Sequence, residues 1–305
     1  MAGGPWSAGA QSRVMNDSPS TPTWHVLGAG SMGSLASWRL QQAGLRTCMA
    51  GGTAASRTLI WPDHRSQTLA LAADDQGPIH ALLLAVKAGD TQVALQPLLP
   101  RLADNALLLR LQNGMGTLDG LPLPANLRII DAVTTDGAWR QDDCIHVVAE
   151  NITWAGDGQS LPPPDLARLA DHWPGWRWCA DIEQRQWQKL VINALINPLT
   201  AIYRCRNGEL LDQGPRQDAM AALARELDTL LPRWLPDWPG GSLALATDVA
   251  AQTAANTSSM LADVLAGKPT EVDYINGHVV RMATRLGLSA PANEAMVARI
   301  HQLTD

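Results

Sequence analysis

The chain has 305 residues, 46% of them apolar, a net charge of −6 and a pI near 5.6. That length favours two domains, and the acidic balance without a basic block argues against nucleic acid as an electrostatic partner, leaving small molecules as the expected ligands. No apolar run approaches the roughly 18 residues needed to cross a bilayer, and four scattered cysteines form no CxxC or metal spacing, so a cytoplasmic protein with reduced thiols, no membrane partner and no metal is expected.

In chain order, residues 1–23 (MAGGPWSAGAQSRVMNDSPSTPT) lack the charged and apolar regions of a signal peptide and read as a disordered extension. Order begins at Trp24. WHVLGAGSMG predicts a strand and a turn, and SLASWRLQQAG a helix ended by Gly44. Further strands are expected over 46–50, 81–86, 106–111 and 128–133, with a helix over 91–103. Strands alternating with helices indicate a parallel sheet covered on both faces. Segments 144–149 and 151–155 read as an antiparallel pair, and LPPPD as a loop before a short helix. From about residue 182 the pattern is helical: 183–203, 216–231, 243–256, 258–266, 270–286 and 292–303. The fold class is thus α/β followed by an all-α domain, with the division at residue 181.

Gly28-Ala29-Gly30-Ser31-Met32-Gly33 is a GxGxxG between a strand and a helix, the setting in which glycines let backbone N–H groups and a helix N-terminus approach a pyrophosphate. A merely tight turn is the alternative. The end of the second strand, MAGGTAASR, has no acid to hold a ribose 2′-hydroxyl, which favours NADPH, and Arg57 is the candidate for its 2′-phosphate or else an ordinary surface arginine. The runs ALLLAV and ALLLRL stop at Lys87 and at Gln112-Asn113, delivering polar groups to the ligand edge of the sheet. Of the 23 basic residues only Lys87, Lys189 and Lys268 are lysines. Arginine does not release its proton, whereas a desolvated lysine does, so a lysine kept in an arginine-rich chain points to proton transfer.

In KLVINALINPLTA, Lys189, Asn193 and Asn197 recur every fourth residue on an otherwise apolar helix, within roughly 80° of one face. So narrow a polar seam faces either a ligand cavity or an internal hydrogen-bond network, because a buried unpaired amide costs about 1 to 3 kcal/mol. Pro198 is expected to kink the helix.

GAGSMG, VKAGDT, LQNGMG, WQKLVINALINPLTA, NTSSMLADV and PTEVDYINGHVVR, in that order, resemble ketopantoate reductases of the 6-phosphogluconate-dehydrogenase-like superfamily. The resemblance implies an N-terminal Rossmann-type dinucleotide-binding domain over 24–181, a helical substrate domain over 182–305, and a site in the cleft between them. It implies NADPH-dependent reduction of 2-dehydropantoate to pantoate in pantothenate synthesis. By the same resemblance Lys189 is the proton donor and Glu271 the second catalytic residue. Asn193, Asn197, Asn256 and Ser259 hold the substrate, and Lys87 and Asn113 lie on the cofactor side. Gln112 stands where the family often has His. Glu271 could instead be a first-turn acid, and Ser258 or Ser259 a helix cap. A reductase of another 2-oxo acid with this fold and a non-catalytic NADP(H)-binding sensor are the alternatives, and the hydrophobic C-terminal helices allow a homodimer.

Overall fold

A computed structural model describes residues 22–304; the disordered extension expected over 1–23 lies, up to residue 21, outside the described residues. The chain opens with β1 (Trp24–Leu27), α1 (Ser31–Gln42), β2 (Thr47–Met49), β3 (Ala55–Ile60), β4 (Ser66–Leu71) and β5 (Ile79–Leu84). It continues with α2 (Thr91–Leu95), β6 (Leu102–Arg110), β7 (Arg128–Thr134), β8 (Gly137–Gln141), β9 (Cys144–Ala149), β10 (Thr153–Gly156), α3 (Pro164–Ala167), α4 (Leu169–His172) and β11 (Trp176–Trp178). Six helices follow: α5 (Ile182–Tyr203), α6 (Pro215–Trp234), α7 (Ser242–Gln252), α8 (Ser259–Leu265), α9 (Asn276–Arg285) and α10 (Pro291–Thr304).

Strand β1 and residues 81–84 of β5 are buried on both faces, which is why, apart from His25 and His80, WHVL and IHALLL are apolar. The two strands lie side by side in a seven-stranded sheet of order β11-β10-β7-β6-β5-β1-β2. Strands β2, β1, β5, β6 and β7 are parallel, and β10 joins β7 antiparallel. The chain leaves β1 for β2 on one side and returns to β5 on the other. The carboxyl ends of β1 and β5 therefore form a topological switch point, where ligands of such sheets bind.

A second sheet, β4-β3-β9-β8, lies over α1. Leu59, Leu69, Leu71, Ile145 and Val147 share one core with Trp24, Val26 and Leu35. Every residue of α1 from Gly33 to Leu40 is buried, since the helix is walled by a sheet on each side. Arg39, inside this layer, pairs with Glu150.

In the second half, α5 is the axis against which α6, α7, α8 and α10 pack. It is apolar almost all round because it is buried almost all round. The helical core runs from Trp187 to Ile300, and the sheet cores end at Trp176.

Three expectations are corrected. The helix expected over 91–103 stops at Leu95 and continues as a 3-10 turn, Gln96–Arg101, because Pro97 and Pro100 lack donors for a continuous α-helix. Segments 144–149 and 151–155 do not pair with each other. β9 joins β3 and β8 in the second sheet, and β10 joins β7 and β11 in the first. The backbone crosses between sheets at Asn151, whose N–H and side chain are held by Asp136 and Thr135. The helix expected over 270–286 is split into a turn, Val272–Tyr274, and α9, with Ile275 (φ −104°, ψ −88°) between them. That break turns the Tyr274 carbonyl toward the N–H of Met115, 2.9 Å away on the sheet side.

Candidate active site

The glycine turn leaves the carboxyl end of β1 at the switch point. Gly28 has φ +103°, and a Cβ there would lie 2.4 Å from the Val86 nitrogen; a Cβ on Gly33 would lie 1.9 Å from the Gly28 carbonyl oxygen. Those two glycines are consumed by packing turn against strand. Gly30 differs, because a Cβ there would meet nothing within 4 Å. The helix behind it, α1, begins at Ser31 with no side-chain cap on its first N–H groups. Ala29 is buried, and Met32 packs against the sheet core. Open space before uncapped donors at a helix N-terminus suits a dinucleotide pyrophosphate, so these residues fit the group that the motif implies.

The facing wall is α5. The Lys189 ammonium donates to the Thr134 carbonyl at the end of β7 (2.8 Å). Burial pushes its pKa down to about 8, and the negative charges of Glu271 and Asp136 act in the opposite direction. Asn193 is half-buried and Asn197 buried. Lys189 and Asn193 share a small cavity with Gln112, Asn113 and Gly114 from the loop after β6.

Glu271 reaches Asn113, one of the residues of this cavity, from the helical half. Its Oε1 accepts the Ala88 N–H (3.1 Å) and its Oε2 accepts Asn113 Nδ2 (3.2 Å). Burial raises the pKa of its carboxyl, while these two hydrogen bonds and the charge of Lys87 oppose that rise. A carboxylate that reaches across to the other half of the molecule is not a first-turn acid of its own helix. Lys87 also crosses the cleft, donating to Asp263 Oδ1 (2.6 Å) and to the Pro269 carbonyl (3.2 Å). The cap question is resolved as well. Ser258 Oγ accepts the Leu261 N–H, which leaves Ser259 exposed on the first turn of α8 with Asn256 exposed nearby.

Contacts thus link Lys87, Ala88 and Asn113 of one half to Asp263 and Glu271 of the other, a cavity joins Asn113 to Lys189 and Asn193, and the glycine turn packs on Ala85 and Val86, just before Lys87. Arg57 is held elsewhere, on β3 of the second sheet, where it donates to Asp143 (2.8 Å) and to its neighbour's carbonyl. Gln112 serves as a tie, donating to Val86 O and Thr91 Oγ1 while accepting from Thr117. An acid does reach the end of β2 after all. Asp74, from the loop after β4, accepts the N–H of Gly51, but its side chain is fully buried beneath Arg101 and the N–H of Gln76. Sequence reasoning missed it, along with Asp136, Thr134 and Ala88. Thr134 and Ala88 act through backbone atoms, for which side-chain identity is no guide.

A mostly parallel sheet with a glycine turn at its switch point, and a desolvated lysine held against the carboxyl end of β7 by a helical half, is the arrangement of a nicotinamide-dinucleotide oxidoreductase. Residues 24–160 match the family described as ketopantoate reductase PanE/ApbA, and residues 181–304 match its C-terminal domain. A 2-dehydropantoate 2-reductase of Vibrio cholerae serotype O1 is 31% identical over 91% of this chain and 96% of its own. One from Archaeoglobus fulgidus is 32% identical over 89% and 94%. The crystal structure of a probable 2-dehydropantoate 2-reductase panE from Bacillus subtilis superposes with a TM-score of 0.77 at 25% identity, covering 92% of this chain and 99% of that one. The chain belongs to the ketopantoate reductase family of oxidoreductases.

Proposed function

We propose that the chain reduces the C2 carbonyl of 2-dehydropantoate to give pantoate, with NADPH as reductant. The carrying observation is Lys189, a desolvated ammonium in the same cleft as Asn113 and Glu271 and facing the domain of the glycine turn. The nicotinamide supplies the hydride when it is bound. As the carbonyl oxygen gains charge, the Lys189 ammonium stabilises it and donates its proton there, exchanging its present acceptor, Thr134 O, for the substrate. Asn193, Asn197, Asn256 and Ser259 hold the substrate carboxylate and hydroxyl. Glu271 accepts a substrate hydroxyl hydrogen bond and keeps Lys189 charged. Gly28 to Gly33 seat the pyrophosphate, with Lys87 and Asn113 beside the nicotinamide.

Two finer points belong to this reading. The functional division falls at residue 181, between a dinucleotide domain and a substrate domain. The preference for NADPH over NADH rests on the end of β2, where MAGGTAASR has no acid and the Asp74 carboxylate is saturated by buried donors. The test is the loss of nicotinamide absorbance with 2-dehydropantoate, run with NADPH and NADH and beside other 2-oxo acids. Turnover of a different oxo acid alone would replace the substrate, and cofactor binding without turnover of any would sink the reading.

A further inference from the structure

A proline inside a helix leaves one carbonyl without its partner. Pro198 lies within α5 and has no N–H, so the carbonyl of Ala194, four residues earlier, loses its helical donor and is crowded by the ring. Ala194 is fully buried, and a buried carbonyl left unpaired is costly. The missing donor comes from another helix. Asn276 Nδ2, at the start of α9 and fully buried, lies 3.1 Å from Ala194 O.

The direction of that hydrogen bond is fixed by a relay that ends in a carboxylate. Glu226 Oε1 accepts both the N–H and the Nδ2 of Asn293 (3.0 and 2.7 Å), and its Oε2 accepts the Ala292 N–H (2.8 Å). With the Asn293 amide nitrogen so engaged, its Oδ1 is an acceptor, and Asn276 Nδ2 donates to it at 2.9 Å. Asn293 Oδ1 and Ala194 O are both acceptors, so the Asn276 nitrogen must face both.

On the other side of Pro198, Thr200 Oγ1 lies 3.0 and 2.8 Å from the carbonyls of Ile196 and Asn197 and shares a 2.7 Å hydrogen bond with Ser258 Oγ. The proline turn of α5 is therefore tied to both of the segments that carry the remaining candidate residues. Ser258 precedes Ser259, and Asn276 follows the turn that holds Glu271. Asn193 and Asn197 flank the bridged carbonyl.

From these contacts we infer that Asn276 is a positioning residue: it stands in for the backbone donor that Pro198 lacks, and so fixes the turn of α5 that presents Asn193 and Asn197 to the substrate. The inference rests on the proposed reaction for its kinetic consequence, though not for its structural one.

The test is a double-mutant cycle on the full chain, Asn276→Ala, Pro198→Ala and the two together, because alanine at 198 restores the missing N–H. Asn276→Ala is expected to lower kcat/KM for 2-dehydropantoate about tenfold, the worth of one buried hydrogen bond, chiefly through KM for the oxo acid and with NADPH affinity unchanged. Amide exchange across residues 190–203 should quicken. Pro198→Ala should match the parent, and the double variant should match Pro198→Ala in kcat/KM and in exchange across residues 190–203, the lost donor to Asn293 showing only as faster exchange around residues 291–294. If Asn276→Ala is insoluble, the double variant must be soluble with parental exchange. Parental kinetics and exchange in Asn276→Ala, a double variant as impaired as that single one, or an insoluble double variant overturns the inference. A parent chain that turns over no oxo acid counts against the proposed reaction instead, and the exchange readout then decides the role of Asn276.

Discussion

Glu271 belongs to the helical half of the molecule, yet one of its carboxylate oxygens is bound by Asn113 Nδ2 of the sheet half, 3.2 Å away. The other oxygen accepts a backbone N–H from that same half. A single side chain thus spans the cleft and brings negative charge toward Lys189.

In the proposed reaction Lys189 sets the pH dependence. Its pKa in the folded protein is depressed to about 8 from 10.5, so the ammonium needed as an acid is lost as pH rises through about 8. kcat/KM for reduction should fall along that limb. The unfolded chain holds this proton up to the higher value. Stability therefore rises with pH across the window from about 8 to 10.5, where the unfolded state binds more protons. Lys189→Met should cut turnover by roughly 10² to 10⁴ while its melting temperature at neutral pH stays at or above the parent's. Parental turnover would remove Lys189 as the acid.

Glu271→Gln separates charge from shape. The carboxamide fills the same space, but the charge that favours protonated Lys189 is gone. kcat/KM should drop by about 10², and the alkaline limb of its pH profile should move to lower pH. An unmoved limb would mean that the two residues do not communicate.

Gly33 and Gly30 of the turn should respond differently. Gly33→Ala forces a Cβ against the Gly28 carbonyl and should cost roughly 1 to 3 kcal/mol of stability or more. Gly30→Ala meets no protein atom. It should melt with the parent yet weaken dinucleotide binding at least tenfold, about 1.4 kcal/mol, as measured by quenching of tryptophan fluorescence. Unchanged affinity in Gly30→Ala would move the pyrophosphate elsewhere.

Asp74 is a stability determinant. Arg101 and the N–H groups of Gln76 and Gly51 hold its carboxyl well below the usual carboxylate range. Its contribution is therefore present above the unfolded value of about 3.9 and is lost as pH falls from there toward the depressed one. Asp74→Ala removes one partner of a buried pair and should cost roughly 3 kcal/mol at neutral pH, measured by urea unfolding. The variant should also lose less stability than the parent on acidification below about pH 4. Equal acid sensitivity would contradict this role.

The elements that positioned the site were legible because each stated its environment locally. WHVLGAGSMG announced strand, turn and helix, and the seam of Lys189, Asn193 and Asn197 announced a buried face with one polar edge. The second sheet was not legible. β3 and β4 read ASRTLI and SQTLAL, mixed patterns whose strand pairing is settled by α1 beneath them. The loop that carries Asp74 to Gly51 closes over 23 residues, a distance that local patterning does not span. The switch from β9 to β10 was misread for a related reason. Two adjacent apolar strands look like a hairpin unless Asn151 is known to be pinned to Thr135 and Asp136.

Helix α1 is buried from Gly33 to Leu40 between two sheets, and only its ends, Ser31, Met32, Gln41 and Gln42, approach the surface. The floor beneath the glycine turn is therefore a fixed anvil for whatever rests on it. Along α1, a bulkier side chain at Ser34, Ala36 or Ser37 would have to displace one sheet or the other, so this segment tolerates change far less than a helix with one face in water.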